Sequence, residues 1–177
     1  MNKQRSDPDR SASKLCSSIL LFVSLFLLAT LAEAKPPTIF LVRHAERSAI
    51  SGRVPTETGL SREGQARAQS LARILKDAGI TAIYTSEYRR TQETAGPLAK
   101  SLGITPEVIP ADDLRSLVTK LRTSRGNALV VGHSNTLPSL LRALGVSDRI
   151  TISESDYENL FEVTLGPRPR FVRRSYR

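Results

Sequence analysis

Thr38-Ile39-Phe40-Leu41-Val42-Arg43-His44-Ala45-Glu46 is the stretch that decides the fold. Its apolar half reads as a first, buried strand (residues 38–43). Its polar half puts an arginine and a histidine at the strand's carboxyl end. The chain has one other histidine, and it is placed the same way: Ala128-Leu129-Val130-Val131 runs into Gly132-His133-Ser134-Asn135. Between them, Ala82-Ile83-Tyr84 runs into Thr85-Ser86-Glu87-Tyr88-Arg89-Arg90-Thr91-Gln92-Glu93-Thr94-Ala95. In an open α/β sheet, ligands bind in the crevice at the carboxyl ends of the strands. Either histidine alone is unremarkable beside a strand. Three strand ends carrying two imidazoles and two guanidinium groups describe one pocket for a doubly charged anion.

The intervening sequence supplies the helices. Ser61 reads as an N-cap with Glu63 in the first turn. Ala68, Leu71, Ala72, Leu75 and Ala78 then repeat at helical spacing, and Gly79 is a natural stop. Residues 45–60, with Gly52, Pro55 and Gly59, read as a loop. A strand follows at Thr81 to Thr85, then a helix from Arg89 to Leu102, interrupted near Pro97 and ended by Gly103. Residues 105–109 are a short strand. Asp112 is placed to cap a helix through Thr123, with Leu114, Leu117, Val118 and Leu121 inward. After strand 127–131 comes a helix from about Asn135 to Leu144, with Pro138 in its first turn. Residues 157–165 and 170–176 read as a final strand pair. Strands alternating with helices predict a three-layer α/β/α sandwich with a mostly parallel central sheet.

The pocket's residue types suit phosphoryl chemistry. A nucleophilic histidine must be neutral, and its ordinary pKa is about 6.5. Permanently cationic Arg43 and Arg90 beside it disfavour imidazolium. The same guanidinium groups match phosphoryl oxygens in bidentate geometry. His133 would add a further donor, and Ser134 is a candidate substrate contact.

These residues resemble the histidine phosphatase superfamily, the phosphoglycerate-mutase-like enzymes, from Ile39 to about Leu144. The marks are Leu41-Val42-Arg43-His44-Ala45-Glu46, Leu60-Ser61-Arg62-Glu63-Gly64-Gln65-Ala66, Tyr84-Thr85-Ser86 with Arg90-Thr91-Gln92-Glu93-Thr94-Ala95, and Val130-Val131-Gly132-His133-Ser134. The resemblance implies a phosphoric monoester hydrolase with His44 as the phosphorylated nucleophile. It implies Arg43, Arg90 and His133 as the rest of the phosphate pocket. Arg90 is chosen over Arg89 because it stands four residues before Thr94. Family members commonly protonate the leaving oxygen with a carboxylic acid. Asp113 is the first choice here, with a helix-capping role as its competing reading. Glu87 is the alternative, and a site with no dedicated acid, suited to phosphohistidine, is the third. Glu46 reads as a structural partner for an arginine.

Other chemistries fit poorly. Ser134 lacks the G-x-S-x-G setting of a nucleophile elbow. Two histidines and a single cysteine, Cys16, offer no metal-ligand spacing, so no metal or cofactor is expected. The alternatives on the same fold are a non-catalytic anion-binding module and a phosphoglycerate-type mutase.

The N-terminus bears on location. Lys3, Arg5, Arg10 and Lys14 precede an apolar run from Ile19 to Leu31, and Ala32-Glu33-Ala34 follows. That order describes a secretory signal peptide over residues 1–34, leaving a domain of residues 35–177. The expectation is an exported protein, periplasmic or secreted, and the alternative is a membrane anchor at residues 19–34. The chain carries a formal charge of +9, of which +8 remains after residue 34. Such a surface attracts anions. The expected partner is a small phosphorylated substrate such as an envelope sugar phosphate or phosphopeptide. The five arginines from Arg168 to Arg177 come without zinc spacing and with little aromatic interleaving, so no specific nucleic acid is expected.

Overall fold

Six strands form one sheet in the order β3-β2-β4-β1-β5-β6 in the computed structural model. It describes residues 35–49 and 55–176, so the expected signal segment lies outside the described residues. The strands are β1 (Thr38–Arg43), β2 (Ile80–Thr85), β3 (Glu107–Val108), β4 (Asn127–Gly132), β5 (Asn159–Thr164) and β6 (Arg170–Ser175). The helices are α1 (Arg62–Leu75), α2 (Arg89–Leu102), α3 (Leu114–Thr123) and α4 (Leu137–Ala143). β3, β2, β4 and β1 pair in parallel, whereas β5 runs antiparallel to β1 and β6 antiparallel to β5. The expected α/β sandwich is therefore present, with an antiparallel hairpin closing one edge of a parallel centre.

The alternation of side chains along the central strands makes the three layers. Phe40 and Val42 of β1, and Leu129 and Val131 of β4, pack with Leu71 and Leu75 of α1 and Leu98 of α2. Ile39 and Leu41, with Ala128 and Val130, pack on the opposite face with Leu121 of α3 and Leu137, Leu140 and Leu141 of α4. Both faces are thus dry, as the unbroken apolar runs require. Each fully buried leucine contributes about 1.5–3 kcal/mol.

Local chemistry sets the helix ends. The Ser61 side chain accepts from the Gly64 backbone N–H and caps α1. Gly64 itself is forced, because a Cβ there would collide with the backbone carbonyl of Glu46. That close approach lets Ser61 N–H donate to the same carbonyl at 2.9 Å. Gly103 ends α2 in the left-handed region, at φ 66°.

Three local expectations are corrected. α2 continues through Pro97: burial of Ala95, Leu98 and Ala99 carries it past the lost ladder hydrogen bond. The cap of α3 is Asp113 rather than Asp112, its carboxylate accepting from Ser116 N–H. α4 starts at Leu137, not Asn135, because Thr136 Oγ1 accepts from His133 N–H and holds a turn there.

Candidate active site

Strand register gathers the site. Arg43 stands opposite Gly132 in the β1–β4 ladder, and Thr85 opposite Val131 in the β2–β4 ladder. The next residue on each strand is therefore His44, His133 or Ser86, all at one sheet edge. His44 N–H donates to the Gly132 carbonyl at 2.9 Å, extending the ladder to the backbone of His44. The two imidazole centroids are 5.4 Å apart.

The two histidines are held differently. His44 Nδ1 lies 2.8 Å from the Ala45 carbonyl oxygen. A carbonyl only accepts, so Nδ1 carries the proton and Nε2 of the neutral ring keeps its lone pair. His133 Nε2 lies 2.9 Å from Ser86 Oγ, a group that can donate or accept, so this contact fixes no tautomer. Burial pushes the His44 pKa down to about 4, against the opposing Ala45 hydrogen bond and with help from Arg90, Arg43 and His133. Burial also lowers His133 to about 4, with Arg90 and Arg43 adding to it. Both rings are neutral at pH 7.

Both arginines lie close enough to His44 to act on its charge. Arg43 is buried, and its guanidinium lies 4.4 Å from the Tyr157 ring centroid. Arg90 stacks on Tyr88 at 4.2 Å, and Tyr88 meets the His133 ring edge-on at 4.9 Å. Burial, with repulsion from Arg47 and Arg43, lowers the Arg90 pKa. Arg89 turns away and pairs with Glu93 at 2.6 Å. Thr94 explains the Arg90 spacing: its hydroxyl donates to the Arg90 carbonyl at 2.7 Å and accepts from Ala45 N–H at 3.0 Å. One side chain thus ties the start of α2 to the loop after His44.

The remaining expected residues are placed less uniformly. Glu46 makes a bidentate pair with Arg67, 2.7 Å at the closest, and so has the structural role read for it. Asp113 spends its carboxylate on the α3 cap, and its hydrogen bonds to Ser116 hold its pKa below the usual carboxylate range. Its bonding partner is thus its own helix rather than a side chain of the pocket. Glu87 accepts from Ala111 N–H at 2.9 Å. Asp112, by contrast, lines the pocket mouth with Tyr88, Arg90, His133 and Asn135. Ser134 Oγ donates to Glu154 Oε1 at 2.6 Å.

Sequence reasoning missed the segment before β5. The Ser153 carbonyl accepts from Arg43 Nη1 at 2.8 Å, and Glu154 Oε2 from Arg43 Nη2 at 2.7 Å. Tyr157 covers the same guanidinium. No periodicity or motif marks Ser153-Glu154-Ser155-Asp156-Tyr157, and only its polarity sets it apart. Ser86 and Thr94 were part of the quoted marks, but their bonds to His133 and to Ala45 N–H reach other elements.

Comparison with known proteins follows this geometry. Residues 39–117 match the family model of the histidine phosphatase superfamily, branch 1. The fold is similar to that of the protein histidine phosphatase SixA complexed with tungstate, with a TM-score of 0.65 and 18% identity over 78% of this chain and 96% of that one. It is also similar to a mycobacterial glucosyl-3-phosphoglycerate phosphatase bound to inorganic phosphate, with a TM-score of 0.60 and 17% identity over 77% and 95% of the two chains. A relative in sequence is the PE-PGRS family protein PE_PGRS11 of Mycobacterium tuberculosis, 47% identical over 53 residues. That match takes in 29% of this chain and spans only 9% of the relative's length.

Proposed function

We propose that the domain hydrolyses phosphomonoesters through a phosphohistidine intermediate on His44. One observation carries the reading. A buried, neutral imidazole with Nδ1 tied to its own backbone leaves Nε2 as the nucleophilic atom, and Arg43, Arg90 and His133 surround it. The similar folds that hold tungstate or inorganic phosphate support an oxyanion in this pocket.

In the first step the Nε2 lone pair attacks phosphorus and the bond to the leaving oxygen breaks. The guanidinium groups of Arg43 and Arg90 take up charge on the non-bridging oxygens, and His133 donates a further hydrogen bond. Such positioning and charge stabilisation is most of what phosphoryl transfer asks of a protein. In the second step water attacks the phosphohistidine, releasing inorganic phosphate and restoring His44. The substrate in this reading is a small phosphorylated molecule, an envelope sugar phosphate or a phosphopeptide among the classes that suit a basic exported protein. Export through residues 1–34, with the mature chain starting at Lys35, belongs to the same proposal.

The test is to trap the intermediate. Protein quenched during turnover of a labelled phosphomonoester is expected to carry acid-labile label on His44. Label on a serine, or acid-stable label, contradicts the mechanism.

A further inference from the structure

We propose that Glu154 is the catalytic proton donor to the leaving oxygen, an assignment that rests on the phosphatase reading above. Among the described residues, the other carboxylates in bonding contact around the pocket serve the scaffold: Glu46 holds Arg67, Glu93 holds Arg89 and Leu60 N–H, Glu87 holds Ala111 N–H, Asp156 holds Ser153 N–H, and Asp113 caps α3. Glu154 differs in that both its bonds are to pocket side chains, Arg43 at 2.7 Å and Ser134 at 2.6 Å. Its side chain is 76% exposed although the guanidinium it touches is 3% exposed. It therefore stands at the open side of the pocket, while His44 lies on the closed side.

That placement has a chemical consequence. Attacking and leaving atoms are roughly in line in phosphoryl transfer. Attack from buried His44 directs the leaving oxygen outward, toward the side on which Glu154 stands. The Ser134 hydroxyl, and after it Arg43 and Arg47, now stabilise the Glu154 carboxylate and hold its pKa below the usual carboxylate range. An arriving phosphoryl dianion recruits Arg43 and the Ser134 hydroxyl. Glu154 then faces a dianion with its own partners withdrawn, and like charge disfavours its ionised form. Solvent supplies the proton. As the Nε2–P bond forms and the P–O bond breaks, the carboxyl passes that proton to the leaving oxygen. The resulting carboxylate takes one back from the water that attacks phosphohistidine.

The experiment is Glu154→Gln in the full chain, assayed on an alkyl phosphate (glycerol phosphate) and an aryl phosphate (4-nitrophenyl phosphate). Glutamine keeps an acceptor oxygen for Arg43, and its NH2 can donate to the Ser134 hydroxyl, but it is no acid and has no proton to deliver to a leaving group. An alkoxide needs that proton and a nitrophenolate barely does. We expect kcat on the alkyl ester to fall about 10²–10⁴-fold, a loss exceeding that on the aryl ester by about tenfold or more. Equal losses on both esters would make Glu154 only an anchor for Arg43. A lower KM with kcat kept would make it only a competitor for the phosphate. Either result, or no effect, or the alkyl-selective loss appearing in Asp112→Asn instead, overturns the assignment. Wild-type protein that turns over neither ester, or carries no label on His44, overturns the phosphatase reading itself.

Discussion

The pocket has two halves that look alike and are secured in opposite ways. In one, Arg43 stacks on Tyr157 beside His44; in the other, Arg90 stacks on Tyr88 beside His133. Around Arg90 the second half is held by local sequence, with His133 brought in from the end of β4. Ser86, Tyr88, Thr91 and Arg90 lie within a few residues, and Thr91 Oγ1 bonds both Ser86 Oγ and the Tyr88 carbonyl. The first half is closed by residues 153–157, more than a hundred positions away in the chain. The histidines differ in the same sense. His44 is fixed in one tautomer by a carbonyl, whereas His133 shares a hydroxyl that leaves its proton free to move. A fixed bare nitrogen suits a nucleophile, and an adjustable partner suits a group that must follow changing charge on phosphate.

The largest effect should come from breaking this asymmetry at its centre. His44→Ala is expected to abolish turnover and the trapped adduct together. His133→Ala should lower kcat by about 10²–10³-fold, the usual cost of one preorganised donor, and still form adduct on His44. Single-turnover kinetics with labelled ester compares them. Comparable residual rates in the two variants would show that the halves are interchangeable.

A smaller effect concerns pH and stability. Both histidines have folded pKa values near 4, below the ordinary 6.5. Between those values the unfolded chain binds more protons than the folded one, so stability rises with pH there. It is fully present above about pH 6.5 and is lost as pH falls toward about 4. We expect Tm to drop by about 5 °C or more across that window. A His44→Gln, His133→Gln double variant should flatten the slope, which thermal melts monitored by circular dichroism would show. Glu46, Glu154 and Asp113, with pKa values below the usual carboxylate range, lose their contributions at lower pH still.

The smallest expected effect is at the carboxylate first favoured from sequence. Asp113→Asn should leave Tm nearly unchanged, because Asn caps a helix about as well as Asp. It should leave the alkyl-to-aryl rate ratio as it was. A collapse of that ratio, measured beside the Glu154 variant, would move the proton donor to the start of α3.

The sequence by itself determined the sheet's centre and the pocket's floor. The apolar runs before His44 and His133 and the short run before Ser86 are local signals: burial on both faces needs unbroken hydrophobicity, and a strand ends where charge begins. Arg90 was legible through its spacing to Thr94, and Glu46 was read as an arginine's partner without Arg67 being picked out. Only the tertiary structure decided that Asp113 caps α3, that Ser134 bonds Glu154, and that residues 153–157 close over Arg43. The reason is physical. A strand or a helix is specified by periodicity within a few residues, whereas a carboxylate's partner is set by which distant backbone brings a donor within 3 Å. An exposed polar loop writes no period into the sequence, so its contacts exist only once the sheet has put Arg43 beside it.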